Sequence, residues 1–176
     1  MIKAFLRLVG KMLCFFSIIL LGGSLLLGKE ECKHIGERLL DSVVLPEEVE
    51  CMTEAVYFEA RGESPEGRKA VMEVILNRTN NPTKFPNTVC KVIKQKNQFS
   101  YLLNPDLTIH EKQIYEQIKG EVHQHLLRVR LSDNYRVIDP CSDHYDGTAS
   151  KAHWIKNMTN PQQIGKHIFY CTKTAA

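Results

Sequence analysis

The chain has 176 residues, 43% of them hydrophobic and 24% charged, with a formal net charge of +3. This is a globular composition, too apolar for a disordered chain and without repeats or low-complexity linkers. No basic run is interleaved with aromatics, which excludes a nucleic-acid footprint of the usual kind.

The charge is unevenly placed. Lys3, Arg7 and Lys11 precede an apolar run over residues 12–27, and no acid occurs before Glu30. That is the layout of a secretory signal or of an inward-positive membrane anchor. Residues 12–28 are at the short limit for spanning a bilayer. Cys14 within this run is not preceded by a small residue, so a lipoprotein anchor is not indicated. Residues 1–28 are therefore read as a signal sequence or signal anchor and 29–45 as a spacer. Residues 46–176 form one domain, exported to the periplasm or cell wall. Three of the 23 basic residues belong to the first 28 positions, which leaves 20 bases against 20 acids in the exported part. Ala60 to Ala176 holds 17 bases and 11 acids, a modest basic field that suits an anionic polymer or a merely solvated surface.

Five cysteines lie beyond the apolar run: Cys32, Cys51, Cys90, Cys141 and Cys171. In an exported domain such wide spacing reads as disulfides, and an odd number leaves one thiol free or paired with another chain. The sequence does not choose among the pairings.

Val49, Met52, Ala55 and Val56 recur at helical spacing, which predicts an amphipathic helix over 46 to about 60. Pro46 suits its first turn, and Gly62 supplies a terminating conformation. Glu59 follows Val56 by three residues and Ala55 by four, so it lies on the apolar stripe and not on the wet face. Burial favours the protonated form of a carboxyl, and a protonated acid is what glycosidic-bond cleavage needs for a leaving oxygen. The alternative is that Glu59 pairs with a nearby arginine and only closes the helix.

Ser64 and Pro65 are placed as N-cap and first residue of a second helix over 65 to about 79, with Ala70, Val71, Val74 and Ile75 inward. Glu63, just before it, is equally an acid favoured by the helix dipole or a functional one. Residues 80–86 are turn-rich, and Asn87 or Thr88 is expected to cap a short helix through about 95. Residues 98–101 follow as a loop. Thr108 and Glu111 have capping-box spacing at the start of a helix to about 129. Its core face is Ile114, Ile118, Val122 and Leu126, with His123 and His125 on polar flanks. Residues 132–151 read as irregular. Cys141, Asp143, His144, Asp146 and His153 crowd together there without compact ligand spacing, so no metal is expected. Ile164, Ile168, Phe169 and Tyr170 suggest a closing strand or helix.

The stretch "AVYFEARGESPEGRKAVMEVILNRTNNPTKFPNTVCKVI" is followed in order by "NQFSY", "DHYDG", "HWIKNM" and "IGKHIFY". Together, over roughly residues 50–170, these motifs resemble the SleB-type cell wall hydrolases, which include spore cortex-lytic enzymes. The resemblance implies a mainly α, lysozyme-like single catalytic domain that cuts the glycan strands of peptidoglycan as a lytic transglycosylase, with no cofactor. It implies Glu59 as the catalytic acid and then base. Glu63, Gln98, Ser100, His144 and Tyr145 are implied as substrate-binding residues, with Phe99 packed beneath the groove. Two positions depart from the family pattern. Asn97 stands where many members have cysteine, and Asp146 stands where the motif His-Tyr-His has its last histidine. Trp154 is read as a sugar-stacking or a core residue. A hydrolytic muramidase or glucosaminidase, with Glu63, Asp143 or Asp146 as second carboxylate, is the alternative enzyme. A non-enzymatic wall-binding module is the alternative of another class. Germination, wall remodelling and phage-driven lysis all fit, and the oligomeric state is left open.

Overall fold

A computed structural model describes residues 43–132 and 135–173. The signal-or-anchor segment, Cys14, Cys32 and nearly all of the spacer lie outside the described residues. Among the described residues no helix is long and apolar enough to cross a membrane. The compact unit that carries the motifs begins at Pro46.

Helix α1, Pro46–Ala60, keeps the expected bounds and buries Met52, Ala55 and Val56 completely, with Val49, Tyr57 and Ala60 nearly so. A tight turn leads to α2, Pro65–Thr79, where the Ser64 hydroxyl accepts the Gly67 N–H at 3.2 Å as an N-cap. Ala70, Val71, Val74 and Ile75 are all fully buried, as the periodicity predicts.

Helix α2 is buried on every side between its helical neighbours and the sheet, so its polar residues all have to find partners. Arg68 makes a two-pronged bond to Glu121, 2.7 Å at each oxygen. Glu73 accepts the N–H groups of Val137 and Ile138 at 3.0 Å. Asn77 donates to the carbonyls of Asp139 and Ser142 at 3.2 and 2.9 Å, and Arg78 Nε donates to that of Asp143 at 2.8 Å. These bonds run in order along the helix and along residues 137–143. They hold an irregular segment in place and deliver the chain to its first strand.

Helix α3, Val89–Ile93, ends earlier than expected, and Thr88 at its N-cap makes no side-chain capping bond. The loop expected over 98–101 instead becomes a 3-10 turn, Ser100–Leu103, above a buried Phe99. Helix α4, Lys112–Leu131, does not open with the capping box. The Thr108 N–H closes an Asx turn on Asp106, while Glu111 pairs with Arg61 at 2.9 Å and gives its N–H to the Tyr57 hydroxyl. Ile118, Val122 and Leu126 are fully buried. His125 is not on a polar flank: it is 1% exposed, and its Nε2 lies 3.5 Å from the buried Glu73 carboxylate. It falls seven residues after Ile118 and three after Val122, on the same apolar stripe.

The last third is more regular than its sequence suggests. Strands β1, Ser142–Gly147, β2, Met158–Ile164, and β3, His167–Thr172, form an antiparallel sheet in the order β1-β3-β2. The mainly α fold thus carries a small sheet on the α2 side. Gly165, at φ +60°, occupies the first central position of the two-residue turn between β2 and β3, as a type II′ hairpin requires. Among the described residues all four cysteines are bridged: Cys51–Cys90 ties α1 to α3, and Cys141–Cys171 ties the entry of β1 to β3.

Candidate active site

Glu59 occupies the last turn of α1, half-buried, where the helix reaches the sheet and the 3-10 turn. Its Oε2 accepts the hydroxyl proton of Tyr145, on β1, at 3.1 Å, and its carboxyl also accepts the backbone N–H of Tyr101. The arginine two residues on does not neutralise it, because Arg61 pairs with Glu111. Phe58 stacks on Tyr101 with ring centroids 5.0 Å apart, which seats the 3-10 turn against the end of α1.

Burial pushes the Glu59 carboxyl above the ordinary range. The Tyr145 and Tyr101 bonds and the fields of His167 and Arg78 pull the other way and temper the shift. The Tyr145 hydroxyl is itself held well above its usual value, first by burial and then by the Glu59 charge beside it, so it stays protonated and stays the donor. Burial thus favours the protonated form of Glu59, while the Tyr145 bond favours its carboxylate.

Tyr145 is held by its own neighbours. Its ring lies 5.7 Å from Phe169, its cross-strand partner, and 5.2 Å from His167. Arg78, only 4% exposed, lies between the rings of Phe85 and Phe99 at 5.3 and 5.5 Å. Its charge acts on both Glu59 and Tyr145. Sequence reasoning did not single out Arg78 or His167. The one available signal for Arg78 was its place four and seven residues after Val74 and Val71 on the inner face of the helix.

The other expected site residues are distributed around this pair. Ser100 is exposed and immediately precedes Tyr101, and Gln98 is half-buried at the approach to the same turn. His144, next to Tyr145 on β1, bonds Asp143 through Nδ1 at 2.8 Å and packs 5.7 Å from the ring of Trp154. The bond to Glu59 therefore comes from Tyr145 and not from His144. Glu63 accepts the Lys166 N–H at 3.1 Å. Asp143 is engaged by Thr172 and His144, and Asp146 by Gly147 and Ser150. Among the described residues the two groups with metal-compatible spacing, Glu47/Cys51/Cys90 and Asp139/Cys141/Cys171, have their sulfurs in bridges and offer no thiolate.

The family model described as Cell Wall Hydrolase matches residues 62–170. The chain belongs to the Cell Wall Hydrolase family. The match begins three residues beyond Glu59, so the assignment of that residue rests on its own geometry and on the motif around it. Among similar Cell Wall Hydrolase relatives is the spore cortex-lytic enzyme of Bacillus subtilis, 33% identical over 69% of this chain and 37% of the relative. That of Oceanobacillus iheyensis is also 33% identical, over 69% of this chain and 41% of its own length. The chain thus spans about two fifths of the length of these curated relatives. Its fold is similar to the catalytic domain of the germination-specific lytic transglycosylase SleB from Bacillus anthracis. That pair has a TM-score of 0.54 and 31% identity over 73% of this chain and 97% of the other. The catalytic domain of the Bacillus cereus SleB protein gives a TM-score of 0.52 and 32% identity over 71% and 89%.

Proposed function

We propose that this Cell Wall Hydrolase cuts the glycan strands of peptidoglycan as a lytic transglycosylase, with Glu59 as general acid and then general base. The observation that carries this reading is the Glu59 site itself. Its carboxyl is raised by burial and opposed first by the Tyr145 hydrogen bond, and among the described residues no second carboxylate is one of the groups that act on it. Glycoside hydrolysis ordinarily needs two carboxylates, the second as nucleophile or water-activating base. The candidates for a second carboxylate, Glu63, Asp143 and Asp146, are each engaged by other partners. A single acid suffices where the substrate supplies its own nucleophile.

Protonated Glu59 gives its proton to the oxygen that leaves C1 of muramic acid. The C6 hydroxyl of the same residue closes on C1, and Glu59, now a carboxylate, takes the hydroxyl proton. The C1–O bond breaks, a C1–O6 bond forms, no water is consumed and Glu59 ends protonated again. Tyr145 keeps its proton throughout and stabilises the carboxylate stage, while the field of Arg78 favours the same stage. Ser100 and Gln98, beside the Tyr101 turn, are assigned to bind sugar, since hydroxyl and amide groups both donate and accept. His144 and Trp154 pack against each other and offer rings for stacking on sugar faces. The names of the similar solved and curated proteins, a lytic transglycosylase and spore cortex-lytic enzymes, support the same substrate class.

Export fits this substrate. Residues 1–28 act as signal or anchor, with membrane contact through residues 12–28, and the two disulfides suit an oxidising compartment. Mass spectrometry of digested peptidoglycan tests the reaction. Anhydromuramyl ends, one water (~18 Da) lighter than reducing ends, are expected, whereas dominant reducing ends assign the chain to the hydrolytic class. A zymogram with and without chelator tests the absence of a metal requirement.

A further inference from the structure

The second acid of the motif has its own seat in the fold. Glu63 lies in the turn between α1 and α2, and its Oε2 accepts the N–H of Lys166 in the β2–β3 turn, 103 residues away in sequence. Two glycines make room for it. A Cβ on Gly165 would stand 2.1 Å from Oε2, and one on Gly67 would stand 3.0 Å from the Glu63 Cβ. Gly165 also needs its positive φ for the turn, so the backbone there disfavours a side chain, and one would displace the tip of Glu63. The Glu63 main chain is fixed as well, with its N–H on the Ala60 carbonyl at 2.9 Å and its own carbonyl on Arg68 at 2.6 Å.

The turn that Glu63 grips leads directly to the site. The Lys166 carbonyl accepts the Thr148 N–H at 2.9 Å at the exit of β1, and β3 begins at His167. His167 lies against the Tyr145 ring, and Phe169 two residues later is its cross-strand partner. Glu59 and Tyr145 belong to separate parts of the fold, a helix end and a strand. Their meeting depends on how the sheet sits against the α1–α2 turn. We propose that Glu63 is a positioning residue that latches the β2–β3 turn to the end of α1 and thereby sets the Tyr145 hydroxyl on Glu59. The latch itself is independent of the reaction assigned to Glu59; its effect on rate rests on that assignment.

The latch needs an acceptor oxygen, not a negative charge, and Glu63→Gln keeps one. The test is an NMR titration of the Glu59 carboxyl in the full-length chain, with wild type, Glu63→Gln and Glu63→Ala compared. This readout needs no turnover. Loss of the Tyr145 bond raises the Glu59 pKa, so Glu63→Ala is expected to titrate above Glu63→Gln, which lacks the same charge but keeps the acceptor. In a Tyr145→Phe background that difference is expected to vanish, since the two residues act through one bond. On peptidoglycan, Glu63→Ala is expected to lose about tenfold in kcat relative to Glu63→Gln with KM little changed, a loss short of the ~10²–10⁴-fold of a missing acid–base group. Equal Glu59 titrations in the two variants overturn the proposal, as does a difference that persists with Tyr145→Phe. A Glu63→Gln enzyme as inactive as Glu59→Gln also overturns it and assigns Glu63 a chemical role. If wild type yields reducing ends, the transglycosylase reading fails while the titration still judges the latch.

Discussion

Tyr145 donates its hydroxyl proton to Glu59 Oε2 across 3.1 Å, joining a strand to a helix end 86 residues apart. The bond has a chemical consequence. It occupies one carboxyl oxygen and lowers the cost of the carboxylate. Burial acts against it, so the proton affinity of Glu59 is a balance of desolvation against one phenol, one backbone amide and the fields of His167 and Arg78.

Replacement of Glu59 by Gln keeps the shape of the side chain and removes the transferable proton. Wall cleavage is expected to fall by at least ~10²–10⁴-fold. Thermal unfolding and binding to insoluble peptidoglycan are expected to change little. Substantial residual activity, measured as release of soluble muropeptides, would contradict the assignment.

Tyr145→Phe removes the hydrogen bond and keeps the ring on Phe169. Because the bond stabilises the carboxylate, its loss raises the Glu59 pKa further. The alkaline limb of the pH–rate profile, where the acid loses its proton, is expected to move to higher pH. The maximal rate is expected to fall by about tenfold, of the order of one charge-assisted hydrogen bond. A profile superimposable on wild type would remove Tyr145 from the mechanism.

His125 gives the fold an acid-sensitive point. Burial depresses it from 6.5 to about 4, so between those values the unfolded chain binds a proton that the folded chain does not. His125 costs the fold nothing above about pH 6.5, and the penalty grows as the pH falls toward 4, to about 3 kcal/mol in total. Glu73, raised by burial, acts in the opposite sense, with the folded form holding its proton longer as pH rises. His125→Gln is expected to flatten the acid slope of the unfolding midpoint, and Glu73→Gln to steepen it. An unchanged slope in His125→Gln would assign the acid sensitivity elsewhere.

Reduction of the bridges is expected to lower stability and then activity. Loops of the lengths closed by Cys51–Cys90 and Cys141–Cys171 each contribute roughly 3–4 kcal/mol in the chain-entropy account. The second clamps β1 to β3 beside Tyr145, so Cys141→Ser paired with Cys171→Ser is expected to lower kcat more than the corresponding change at Cys51 and Cys90. Melting curves and rates with and without reductant measure both effects.

The two central helices were legible because their information is local. The apolar spacing of 49–56, the Ser64–Pro65 start and the inward run 70–75 each act within a few residues, and the structure keeps them. Local signals also misled. Thr108 has cap spacing, but Asp106 takes its N–H and Arg61 takes the Glu111 side chain, so the helix opens three residues later than the box implies. His125 looked polar because of its residue type, although its position on the stripe of Ile118 and Val122 determined its burial.

By itself the sequence determined the helical frame, the place of Glu59 on a buried stripe and the motif order that marks the family. Only the tertiary structure decided what surrounds Glu59. The strand of Tyr145, the turn held by Glu63 and the choice of cysteine partners all depend on contacts between residues tens of positions apart. Hydrophobic period and capping rules report the chain's preferences within a turn or two. The Tyr145–Glu59 bond depends instead on α2, whose buried Glu73, Asn77 and Arg78 must satisfy their hydrogen bonds on residues 137–143 and so fix where β1 begins.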